Sequence, residues 1–129
     1  MKKLIAFIVV AIILILTVIV EQIYLSNSFE LLIQKIDNLN QQVSITETIN
    51  TEQIKSSAND LENYWNSIEN VLCMTINYND LHRVGEQLQR VKSYIEQDKK
   101  EDCVPELEVL KFYAEKYKMI FLINFSNVF

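Results

Sequence analysis

A chain of 129 residues with one glycine, Gly85, and one proline, Pro105, has few residues with which to turn. Strand-rich folds reverse direction every ~8–12 residues and lean on turn formers to do it. This chain favours long helices joined by a few polar breaks. Its length accommodates one modest domain beside an anchor. Abundant Asn, Ile, Lys and Glu suit a low-GC bacterial genome.

Residues Leu4 to Val20 read LIAFIVVAIILILTVIV, with Thr17 the only polar side chain. A helix needs roughly 20 residues to cross the hydrocarbon of a bilayer. Continuing to Tyr24 supplies the extra turn and puts an aromatic ring with a polar tip at interface depth. The run is longer than the ~7–15 residues of a signal-peptide core, and no small-x-small pair closes it. An uncleaved transmembrane anchor is therefore expected over residues 1–24. Lys2 and Lys3 precede the span, so the N-terminus is expected in the cytoplasm and residues 25–129 outside it. The expected location is the cell membrane, crossed once.

From Glu21 onward the chain holds 10 basic and 17 acidic residues, a net charge of −7. Such a surface repels nucleic-acid phosphates, so no nucleic-acid partner is expected.

Apolar residues then recur at spacings of four and three. The first stripe is Leu25, Phe29, Leu32, Ile36, Leu39 and Val43, and the second is Ile54, Ala58, Leu61, Trp65, Ile68 and Leu72. The third is Leu81, Val84, Leu88, Val91 and Ile95, and the fourth is Val104, Leu107, Leu110, Ala114, Tyr117 and Phe121. Each is the buried face of an amphipathic helix. The predicted fold is all-α, an N-terminal transmembrane helix continuing into an antiparallel up-down four-helix bundle over 25–129. Asn50 with Gln53 fits a capping box at the second helix, Asn77, Asn79 and Asp80 are cap candidates for the third, and Pro105 is expected in the first turn of the fourth. In this topology the turn around Leu72, Met74, Ile76 and Tyr78 returns toward the bilayer, as does the chain end MIFLINFSNVF.

The chemistry-bearing residues are sparse. Cys73 ends the second helix and Cys103 starts the fourth, ~25–30 Å apart at 1.5 Å per residue, so two free thiols are expected. His82 and Glu86 stand at i and i+4, but a metal needs three or four ligands. One glycine cannot build a phosphate-binding loop, and no nucleophile–base arrangement is visible. No enzyme activity, cofactor or metal is expected. The densest apolar segment is the end of the chain, where Phe121, Leu122, Phe125 and Phe129 are the candidate interface residues and Tyr24 the membrane-interface residue.

The segments NYW and NSIENVL, then LQRVKSYIEQDK, then ELEVLKFYAE, then the closing NFSNVF, resemble the domain-of-unknown-function 4363 family, small membrane-anchored proteins of low-GC Gram-positive bacteria. The residues that carry the resemblance are Trp65, Tyr94, Ile95, Asp98, Glu106, Leu107, Leu110, Lys111, Phe112, Asn127 and Phe129. It implies the same architecture and brings no catalytic residue with it. The expected function is an extracytoplasmic helical interaction module that docks on another membrane or envelope protein. The alternative is a small-ligand sensor bundle, which would signal through a partner chain because only three residues precede the apolar run. The heptads are also compatible with a homo-oligomer.

Overall fold

The computed structural model describes the chain except for Met74, Thr75 and Phe129, and the side chains of residues 124–128 are likewise outside the description. The described residues form four α-helices and no strand: α1 Lys2–Ile45, α2 Glu52–Leu72, α3 Tyr78–Glu96 and α4 Lys100–Val128. α1 runs without a break from the apolar run into the helical domain, and its first buried residue is Leu25. Each helix packs on two others, α1 on α2 and α4, and α3 on α2 and α4.

The first three stripes are buried throughout, and together with the fourth they make one core. The fourth starts one residue earlier than its sequence suggested. Cys103 is in the core and Val104 only partly buried, so the row reads Cys103, Leu107, Leu110, Ala114, Tyr117, Phe121. Cys103 keeps the spacing of four and three in full, and a reduced cysteine packs as a small hydrophobe. Trp65 is 2% exposed, at the centre of the α2 face.

Contacts across neighbours fix their registers. Along α1 and α4, Phe29 lies 6.2 Å ring to ring from Phe121, Glu30 pairs with Lys118, Asp37 with Lys111 at 2.9 Å, and Asn40 donates to Glu108 at 2.9 Å. Between α1 and α2, the Tyr64 hydroxyl donates to the Ser28 carbonyl at 2.8 Å and the Ser57 hydroxyl to Gln42 at 3.0 Å. Across the α2–α3 seam, Lys92 of α3 reaches Glu62 at 3.1 Å and Lys55 of α2 reaches Glu96 at 3.6 Å. Gln87 of α3 donates to the Glu106 carbonyl at 2.9 Å and to its carboxylate, and the Cys103 thiol reaches the Val91 carbonyl at 3.9 Å. Along every pair, numbers rise on one helix as they fall on the other.

The turns differ from expectation in detail. Thr51, not Asn50, caps α2, its hydroxyl accepting from the Ile54 amide at 3.2 Å. Asn50 is spent elsewhere, its side chain donating to the Glu96 carbonyl at 3.1 Å. Asn77 caps α3, accepting from the Asn79 amide at 2.9 Å. α4 begins at Lys100, so Pro105 lies inside the helix rather than in its first turn. α3 ends on Asp98, whose φ of 55° is left-handed. The Asp98 amide bonds the Ile95 carbonyl at 3.1 Å and the Lys99 amide bonds Tyr94 at 2.9 Å, which is a Schellman ending. Glycine usually takes that position; in this glycine-poor chain an aspartate, which tolerates it better than most residues, does. The same carboxylate accepts from the Ile49 amide at 2.8 Å and the Asn50 amide at 3.3 Å, tying the α1–α2 connection to the α3–α4 turn.

Candidate membrane and partner interface

Among the described residues, none in the first half of α1 is buried. Its apolar side chains from Leu4 to Ile23 are mostly exposed, and among the described residues α1 is the one helix long and apolar enough to cross a membrane. Two lysines precede the apolar stretch and Glu21 follows it. Tyr24, one turn before the buried Phe29 row begins in earnest, is exposed, and its carbonyl accepts from the Ser28 hydroxyl at 2.8 Å.

α4 is apolar on two faces. Its core row faces the other helices, and a second row, Val109, Phe112, Met119 and Ile123, lies exposed at spacings of three, seven and four. With about 100° per residue that row falls on the side of the helix opposite the core row. Phe112 and Met119 are 59% and 61% exposed. Lys116 interrupts the row, its ammonium 5.9 Å from the centre of the Tyr117 ring. By contrast, the exposed side of α3 among its described residues carries one large apolar side chain, Tyr78 at its start. Beside the α4 row, Ile33 of α1 with Met119 and Leu122 of α4 line an open groove whose rim holds Glu30, Glu115 and Lys118.

Charge pairs close the α1–α4 seam. The hydrogen bond to Asp37 and that carboxylate's charge hold the Lys111 ammonium above its ordinary pKa. On the opposite seam burial pushes the Glu62 carboxyl up, but hydrogen bonds from Gln89 and Lys92, with the lysine's charge, outweigh it and hold the group below its ordinary value. Inside the domain two polar atoms, Trp65 Nε1 and the Tyr117 hydroxyl, are buried with no hydrogen-bond partner among the described residues.

The structure divides the residues singled out from sequence. Phe121 is not a surface residue: its ring is buried against Phe29, because it falls in phase with the core row. Leu122, one residue on, is exposed. The Phe125 side chain and Phe129 lie outside the described residues. Phe112 and Met119 were missed as surface residues, although their seven-residue spacing, out of phase with the core row, was a readable signal. His82 pairs with Glu86 at 3.1 Å and stacks on Tyr78, its ring centre 5.9 Å away. Among the described residues no three His, Cys, Asp or Glu side chains come together in a way that could hold a metal ion. Both cysteines are free, Cys73 exposed and Cys103 buried. Burial, and to a smaller degree the Glu106 charge, pushes the Cys103 thiol up to about 11.

Comparison with known proteins finds one family, described as Domain of unknown function (DUF4363), matching residues 19–128. No curated protein and no solved structure matches the chain.

Proposed function

Because the chain belongs to the DUF4363 family, whose description assigns no activity, we propose a function from its surfaces: a membrane-anchored, extracytoplasmic interaction module that docks on another membrane or envelope protein. In this reading the first half of α1 crosses the bilayer once, with Lys2 and Lys3 on the cytoplasmic side. The remainder is an antiparallel up-down four-helix bundle standing outside, a topology supported by the opposed numbering of every packed pair.

The observation that carries the proposal is the second apolar face of α4. A helix in a small bundle needs one apolar stripe, and the opposite side is ordinarily polar. Exposed aromatic and sulfur-containing side chains such as Phe112 and Met119 are the kind that anchor protein interfaces. The row is short and interrupted by Lys116, which suits a docking strip with one charged contact. The acidic domain, at −6 over residues 25–129, favours a partner that is neutral or basic where they meet.

A photo-crosslinking amino acid at position 112, compared with one at Arg90 on the exposed side of α3, tests this in native membranes. The expected result is one adduct of defined mass from position 112, absent from position 90 and lost on Met119→Glu. Adducts of equal yield from both positions, or none from either, would overturn the docking role of α4.

A further inference from the structure

Besides the apolar run 4–20 and the stretch 38–46, three stretches of eight or more residues carry no charged residue: 22–29, 70–79 and 119–129. They are far apart in sequence, in a chain of which 22% is charged. The fold brings them to one end. The first is the exit of α1 from its apolar run, the second is the end of α2, its connection and the start of α3, and the third is the end of α4.

The register of α4 makes the meeting specific. Its contacts with α1 join 40 to 108, 37 to 111, 30 to 118 and 29 to 121, pairs whose numbers add to 148–150. α4 continues as a helix to Val128, which that register brings level with residues 20–22 of α1. The helix therefore descends past Tyr24 to the edge of the apolar run. Leu122, exposed, comes level with residues 26–28. On the α2 side, Tyr64 reaches Ser28, so Val71 and Cys73, both exposed and two turns further on, stand beside the same exit. The last charged residue of α4, Lys118, is paired with Glu30, so the seam between the two helices is closed by charge just above the uncharged end, and the next charged residue down α1 is Glu21.

We propose that this end of the domain is a membrane seat: the base formed by the α1 exit, the end of α2, the start of α3 and the last turns of α4 rests in the headgroup layer of the outer leaflet. The occupant is lipid, because the surface is continuous with the exposed apolar stretch of α1 and sits at the depth that stretch defines. Glu21 marks the hydrocarbon boundary, so the seat lies at headgroup level and not deeper. The composition of 119–129 agrees, with Asn124, Ser126 and Asn127 interleaved among Phe125, Val128 and Phe129, a mixture suited to an interface and too polar for hydrocarbon. A charged side chain in any of the three stretches would resist that layer less than hydrocarbon, but would prevent close seating on apolar glycerol and acyl groups. The consequence is orientation. A domain held at three points cannot swing freely on its anchor, so the outer row of α4 is presented at a fixed angle to a partner in the same membrane.

This inference rests on the reading of α1 as a membrane anchor, and the test separates the two. The full chain is reconstituted in vesicles of phosphatidylcholine and phosphatidylglycerol. A spin label is placed on native Cys73, or, in a Cys73→Ser background, on Leu122→Cys, Ile45→Cys or Ile12→Cys. Collision with an aqueous nickel complex and with oxygen, which concentrates in lipid, reports the depth of each label. The expected result is that labels at 73 and 122 are several-fold less accessible to nickel than the label at 45, and several-fold more exposed to oxygen. The label at 12 should be the deepest. If 12 is deep while 73 and 122 match 45, the anchor stands and the seat is overturned. If 12 is also water-accessible, the anchor itself fails. Labels at 73 and 122 shielded from both reagents would mean that protein, not lipid, covers the base, which also overturns the proposal.

Discussion

The two ends of the helical domain are built by different means. At the end far from the apolar run, the connections are polar and tied by named hydrogen bonds: Asp98 to Ile49 and Asn50, Asn50 to Glu96, and Lys100 to the Ser44 carbonyl at 2.9 Å. At the near end the stretches that meet hold no charge, and the core beside them is aromatic, with Phe29, Phe121, Trp65 and Tyr117 buried. The far connections are specified by directional hydrogen bonds, whereas the end beside the apolar run is specified by aromatic packing and by stretches without charge.

The sharpest way to break this contrast is to remove the aromatic filling. Trp65→Ala is expected to cost about 3–5 kcal/mol, the usual large-to-small penalty in a core, in a domain whose total stability is on the order of 5–15 kcal/mol. Thermal melting of the chain in detergent measures it. A variant melting with the parent would place Trp65 outside the core. At the far end the corresponding change is Asp98→Ala. It removes the acceptor of two backbone amides and puts a less tolerant residue in the left-handed position, for an expected loss of about 1–3 kcal/mol. Asp98→Asn keeps both features and should recover most of that loss. If alanine and asparagine melt alike, the carboxylate is not what joins the two connections.

Gly85 gives a smaller effect of opposite sign. It lies within α3, and a Cβ there would meet Trp65 Nε1 at 3.6 Å, an ordinary contact. Gly85→Ala should therefore stabilise by about 0.5–1 kcal/mol through helix propensity. A destabilised variant would show that the indole needs the space that the glycine leaves.

How much of this was legible in the sequence follows from which forces each feature obeys. The four stripes were readable because burial repeats every turn, so one misplaced residue, Val104 for Cys103, leaves the pattern intact. The caps were not, since Thr51 and Asn50 are both good cap residues and only the tertiary pull of Glu96 on Asn50 decides between them. Asp98 was visible as part of a polar turn, but its left-handed backbone was not. The candidate interface was half legible. The apolar excess of the chain end was plain, yet Phe121 and Leu122 differ by one residue and lie on opposite sides of a burial boundary. That the turn around Leu72 and the chain end return to the exit of α1 was expected from the order of the stripes; the registers add the level at which each stands.

Cys73 and Cys103 compare the two ends in one experiment. Cys73 is exposed near the base, and Cys103 is buried with its thiol pushed up to about 11. In detergent at pH 8 a maleimide is expected to modify Cys73 and leave Cys103 untouched until the chain is unfolded, because the thiolate is the reacting form. Mass spectrometry reads one adduct before and two after denaturation. Two adducts in the folded chain would show that the start of α4 opens readily.

The finest test concerns the Tyr117 hydroxyl, an unpartnered polar atom among the aromatic residues of the near end. Tyr117→Phe deletes that atom and nothing else, so it leaves the ring's packing in place. A buried hydroxyl without a partner has lost its water and gained no bond, so its removal is expected to be neutral or to stabilise by up to about 1 kcal/mol near neutral pH. The pH dependence supplies a second readout. Burial raises the Tyr117 phenol above its ordinary value of 10.0, with Asp80 adding to the effect. The folded chain therefore holds the phenol's proton more tightly than the unfolded chain does. That contribution is complete below the unfolded pKa and is lost as pH rises through the folded one, so the parent should weaken above about pH 10. Tyr117→Phe should weaken less over that range, with melts at pH 8 and 10.5 showing a widening gap in favour of the variant. A variant less stable than the parent at pH 8 would mean that the hydroxyl has a partner, such as an internal water, and that this end of the core relies on a directional bond after all.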